Sequence, residues 1–64
     1  MRETELWRRL DSHVGAGYAK SWAAQVALTA LDSRTVLEAL ADGVPTRAVW
    51  DAVWVALELP DSER

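Results

Sequence analysis

Apolar residues in this chain recur three and four positions apart, and the breaks between apolar stretches fall at Gly15/Gly17, Gly43, Pro45 and Pro60. No β-branched alternating run lies between those breaks, so the pattern predicts helices and no strand. From Thr4, a candidate N-cap, to Val14, the residues Leu6, Trp7, Leu10 and Val14 share one arc while Arg8, Arg9, Asp11 and Ser12 face away. From Tyr18 to Leu31 a narrow polar stripe of Ser21, Gln25 and Thr29 interrupts an otherwise apolar circumference, which predicts a central helix. Thr35 followed three residues later by Glu38 matches a capping box and predicts a third helix over Val36 to Ala41, with Gly43 ending it in a left-handed conformation. Pro45 suits the first turn of a fourth helix over residues 46 to 58, and Pro60 blocks its extension.

The fourth helix is unusual on a helical wheel. Arg47, Asp51 and Glu58 fall in one wedge about 40° wide, and nearly everything else from Ala48 to Leu59 is apolar. Val49, Trp50, Val53 and Leu57 make a bulky side, and Ala48, Ala52 and Ala56 a smooth one that another element can approach closely. The expected fold class is all-α, a compact bundle of four short helices, with residues 1–60 as one helical domain and residues 61–64 as a frayed tail. Its core is expected to centre on Leu10, Val26, Leu40, Val49, Val53 and Leu57, with Trp7 and Trp50 also inside.

Composition narrows the stabilising forces. With 64 residues, no cysteine and one histidine, neither a disulfide framework nor a structural metal site can be assembled, so packing must hold the fold. Half the residues are hydrophobic and four are tryptophan, too apolar for a disordered chain. Ten acidic against seven basic residues give a net charge of -3, and the basic residues are scattered along the chain, which argues against nucleic acid as a partner. No apolar run approaches the roughly 20 residues needed to span a bilayer, and no signal-peptide core follows Met1; a soluble, cytoplasmic setting without membrane contact is expected.

Candidate chemistry is sparse. No nucleophile stands beside a base, no paired carboxylates or metal set can be read, and Gly15 and Gly17 follow no strand and precede no Lys-Ser or Lys-Thr pair, so no phosphate loop is present. The expectation is a protein that is not an enzyme, with no cofactor and no small-molecule substrate. His13 sits at the edge of the first apolar arc and reads as a boundary residue rather than a pH sensor. Ala39, Gly43 and Val49 have helix-turn-helix spacing, yet the helix that would read bases offers little beyond Thr46, Arg47 and Asp51; a simple helical hairpin accounts for the spacing.

Two aromatic patches remain as interaction candidates. Trp54 lies about 20° from Arg47 on the wheel, so it is expected to be partly exposed with Arg47 and Asp51 at its rim. Trp22 with Tyr18 borders the polar stripe of the second helix. Partly exposed aromatics with polar rims are favoured anchors for a protein partner or for self-association.

Thr4-Glu5-Leu6-Trp7, Arg34-Thr35-Val36 with Glu38-Ala39-Leu40, Gly43-Val44-Pro45, Val49-Trp50, Ala52-Val53 and Pro60 together resemble the short actinobacterial family known as domain of unknown function 3046. The resemblance spans almost the whole chain. It implies a bacterial cytoplasmic setting and, because members tend to be encoded near the recombinase RecA and its regulator RecX, a DNA-repair context with a nucleic-acid-associated accessory role as the alternative to a protein-interaction module. Ser33 stands where a glycine is usual before Arg34, and Trp22 and Trp54 stand at positions expected to vary.

Overall fold

The computed structural model describes residues 1–64 and contains four α-helices with no strand: α1 (Glu3–Val14), α2 (Ala19–Gln25), α3 (Val36–Ala41) and α4 (Thr46–Ala56). Two single turns of 3-10 helix, at Thr29–Leu31 and Asp61–Glu63, complete it. α1 starts one residue before the expected cap, with Arg2 rather than Thr4 adjoining its first turn. Glu3 and Glu5 then lie at the positive end of the helix dipole, the favourable placement for their charge, and His13 lies in the last turn.

α3 forms as its local signals require. Thr35 Oγ1 accepts from the Glu38 backbone N–H at 3.1 Å, and Glu38 Oε1 accepts from the Thr35 N–H at 2.8 Å, completing the capping box. At its other end Val44 N–H reaches Ala39 O and Gly43 N–H reaches Leu40 O, with Gly43 at φ +83°. This is the paired closure that a left-handed residue allows. α4 ends in the same way, with Leu59 N–H on Trp54 O and Glu58 N–H on Val55 O, but there Glu58 holds the left-handed position at φ 53°. The fourth helix therefore stops two residues short of the predicted end, and Glu58 lies outside the polar wedge of Arg47 and Asp51. Pro45 likewise sits one residue before the helix rather than in its first turn.

The second predicted helix is corrected most. It ends at Gln25, where Val26 turns to extended backbone, rather than continuing to Leu31. On a continued helix, at about 100° per residue, Leu28 would point opposite to Ala19 and Ala23 and face solvent. Breaking the helix turns Leu28 and Leu31 inward instead, leaving them 2% and 5% exposed. The loop closes on itself: Leu28 N–H donates to Arg34 O, Ser33 N–H to Leu28 O, and the Arg34 Nε to Leu31 O at 2.9 Å. Leu28 and Arg34 form one isolated antiparallel bridge. Asp32 and Ser33 both take positive φ, 57° and 65°, so serine occupies a left-handed position there that glycine would adopt with less strain.

α4 is the central element and packs against α1, α3 and the 29–31 turn, while α2 packs against α1 and α3. The smooth side of α4 is thus approached at Ala52 by the turn rather than by a full helix. Leu6, Leu10, Val36, Val49, Trp50 and Val53 are fully buried. Of the predicted core, Leu10, Val49 and Val53 are completely enclosed, whereas Val26, Leu40 and Leu57 pack against its edge. The centre lies closer to Trp50, Leu6 and Val36 than the pattern alone placed it.

Residues 61–64 were expected to fray. Instead the 61–63 turn lies over α1 and α4: Trp50 Nε1 donates to Glu63 O at 3.1 Å, Trp54 Nε1 to Pro60 O at 2.9 Å, and Arg9 Nη1 to Arg64 O at 2.9 Å. Two indole N–H groups thereby obtain backbone carbonyl acceptors outside their own helix.

Candidate functional site

The five residues singled out from the sequence do not meet in one place. Arg47 and Asp51 pair across one turn of α4, with Nε 3.4 Å from Oδ1. Trp54, the next turn along, is half-buried, hydrogen-bonded to Pro60 O and covered on one ring face by the Arg64 guanidinium at 5.0 Å. Tyr18 is 71% exposed while Trp22, one turn on, is half-buried against the core. Both stand at α2, so they form a separate patch.

A different surface is assembled around α1. Arg2, Glu5, Arg9 and Ser12 recur three and four apart and so share a helix face, with Arg8 beside them. Hydrogen bonding from Thr46 Oγ1 to Met1 O brings the first turn of α4, and with it Arg47, against the start of α1. The 61–63 turn brings Arg64 against the other end. Two adjoining clefts result, and Arg9 lines both. One, of about 440 Å³, is bordered by Met1, Arg2, Thr4, Glu5, Arg9 and Arg47. The other, of about 350 Å³, lies between α1 and the turn and has no hydrophobic residue in its lining.

Five of the seven cationic side chains therefore border one surface: Arg2, Arg8, Arg9, Arg47 and Arg64. Only Glu5 and Glu63 of the ten carboxylates line the same two clefts. Basic residues that are scattered in the chain are gathered in space, with Glu5, Asp51 and Glu63 interleaved among them. Sequence reasoning passed over this surface. The spacing on α1 was a usable signal, but the positions of Arg47 and Arg64 depend on tertiary contacts.

The arginines are held in place. Arg8 donates to both oxygens of Glu5, at 2.8 Å from Nε and 2.6 Å from Nη2. Arg9 lies over the Trp50 ring at 5.4 Å as well as on Arg64 O. His13 is half-buried beside Trp50, ring centres 5.9 Å apart, with Nε2 3.6 Å from Glu63 Oε1. The boundary position expected of His13 is therefore occupied, but it faces a cleft.

Hydrogen bonding from Arg8 lowers the Glu5 carboxyl below the ordinary range; the charges of Arg8 and Arg9 add to this, and desolvation opposes it. A carboxyl lowered in the folded state contributes stability above its unfolded pKa and loses it as pH falls through the folded one. The Arg8–Glu5 pair is thus expected to survive acidification past the ordinary Glu pKa. Following the Glu5 Cδ shift by NMR checks this; an ordinary titration midpoint would show that the pair is open in solution.

Elsewhere, Val26, Leu28, Ala52 and Val55 line an apolar groove between the 26–30 segment and α4. No group of three or more His, Asp or Glu side chains converges as a metal site would require. No helix is long and apolar enough to cross a membrane.

Fold and surface together define a small all-α protein that presents an arginine-lined polar face. Residues 1–62 match the family described as "Protein of unknown function (DUF3046)", and the chain belongs to that family. No curated protein and no solved structure matches it.

Proposed function

We propose that the protein is a non-enzymatic protein-interaction module that docks an acidic segment of a partner protein on the α1 face. The observation that carries this reading is the gathering of Arg2, Arg8, Arg9, Arg47 and Arg64 around two adjoining clefts in a chain whose net charge is -3. Local charge of one sign in a cleft steers and orients a complementary partner even when the whole molecule carries the other sign. Arg47, with its partner Asp51, forms one edge of this face, and Trp54 under Arg64 forms another.

The same arginines favour a second reading, a nucleic-acid-associated accessory protein. Against it stand the interleaved Glu5, Asp51 and Glu63, and α4, whose Val49, Trp50, Ala52 and Val53 are spent on the core rather than offered to bases. NMR titration with an oligo-glutamate peptide separates the two. Saturable, salt-sensitive shifts at Arg2, Arg9 and Arg47 are expected, with affinity falling about tenfold in the double variant Arg2→Glu, Arg47→Glu. Tighter binding of duplex DNA than of the peptide at equal ionic strength would move the assignment to the second reading, and binding of neither would remove both.

A further inference from the structure

We propose that the cleft between α1 and the 61–63 turn receives a phosphoryl group. This rests on the reading of the α1 face as a binding surface and goes further by naming the chemistry one of its clefts selects.

Lining comes first. A cleft with no hydrophobic residue in its lining suits a strongly hydrated group rather than an apolar side chain. Three arginines border it, Arg8, Arg9 and Arg64, together with Ser12 and Ser62.

Donor capacity comes second. Arg8 spends Nε and Nη2 on Glu5 and keeps Nη1; Arg9 spends Nη1 on Arg64 O and keeps Nη2. The Arg64 guanidinium stacks on Trp54, which leaves its N–H edge open. Ser12 and Ser62 are exposed and donate to no protein acceptor. These donors come from two sides of the cleft, α1 and the turn. A carboxylate has two coplanar oxygens and is matched by a single fork, as Glu5 is by Arg8. A phosphoryl group carries about -1.5 to -2 charge and three terminal oxygens pointing in different directions, which suits convergent donors.

The one anion in the lining is consistent with this. Glu63 is directed to His13 Nε2 at 3.6 Å rather than to an arginine, so Glu5, paired with Arg8 and 3.9 Å from Arg9, is the one side-chain carboxylate that offsets the charge of these arginines. Their rotamers are already restricted by Glu5, Trp50 and Trp54, which reduces the ordering entropy a ligand must overcome.

The test is NMR titration of the full chain with inorganic phosphate, O-phospho-L-serine and L-glutamate at constant ionic strength. Saturable shifts at the Arg8, Arg9, Ser12, His13 and Ser62 amides are expected with both phosphate compounds, and about tenfold weaker binding with glutamate. Tighter binding of O-phospho-L-serine would assign the group to a partner's side chain, and tighter binding of phosphate to the free anion. Ser12→Glu, which adds a carboxylate at an exposed position of the cleft, is expected to keep the wild-type melt and lose the phosphate response. Equal affinity for glutamate, shifts centred on Arg2 and Arg47, or unchanged phosphate binding by Ser12→Glu would each overturn the proposal. A wild-type chain that binds oligo-glutamate but gives no phosphate response sinks this inference, and one that gives the phosphate response but does not bind oligo-glutamate sinks the broader reading.

Discussion

Replacing Val53 with aspartate will leave no cooperative thermal transition. Val53 is completely buried on the face of α4 that meets the rest of the core. A chain of this size has roughly 3–10 kcal/mol of total stability, at about 0.05–0.15 kcal/mol per residue. Removing the valine forfeits about 1.5–3 kcal/mol of burial, and an unpaired carboxylate in its place adds several kcal/mol, whether it stays ionised or takes up a proton. The sum exceeds what the fold can spare. Val55, two residues along the same helix, is 58% exposed and supplies the control: Val55→Asp should melt as the wild type does. A normal melt for Val53→Asp, or a lost one for Val55→Asp, would show that α4 is rotated from the orientation described.

The contrast between these neighbours also shows what was legible in the sequence. The wheel position of Val53 follows from the 3.6-residue period alone, and α3 follows from Thr35, Glu38 and Gly43, whose hydrogen bonds all close within a few residues. Signals of that kind are local, so the chain pattern contains them. The end of α2 is not local. Gln25 and Val26 carry no glycine or proline, and the helix breaks because Leu28 and Leu31 gain more by turning toward α4 than by continuing outward. Left-handed Asp32 and Ser33 are held by Arg34 and by the bridge to Leu28, which only the closed loop provides. The candidate site was least legible. Arg9, Arg47 and Arg64 belong to three separate segments, and the polar tail that completes the cleft is docked by indole N–H groups whose need for acceptors was visible but whose acceptors were not. Trp54 was legible as half-exposed, and its cover was not.

Truncating Trp50 should show how closely that site depends on the core. Trp50 is the largest fully buried side chain, and its replacement by alanine is expected to cost about 3–5 kcal/mol, enough to unfold much of the population at room temperature. The ring does more than fill volume. Its Nε1 holds Glu63 O, Arg9 lies over one face and His13 packs beside it. Trp50→Phe separates the two roles, because it keeps most of the apolar ring while removing the N–H. That variant should lose only about 1–2 kcal/mol, from one hydrogen bond and a smaller ring, and still melt cooperatively. Its 61–63 turn should nonetheless loosen, read as faster amide exchange at Glu63 and Arg64 and weaker phosphate shifts at Arg9 and His13. An alanine variant within about 1 kcal/mol of wild type would place the indole at the surface instead of the centre. A phenylalanine variant with an unchanged turn would show that the tail is docked by Arg9 and Trp54 alone.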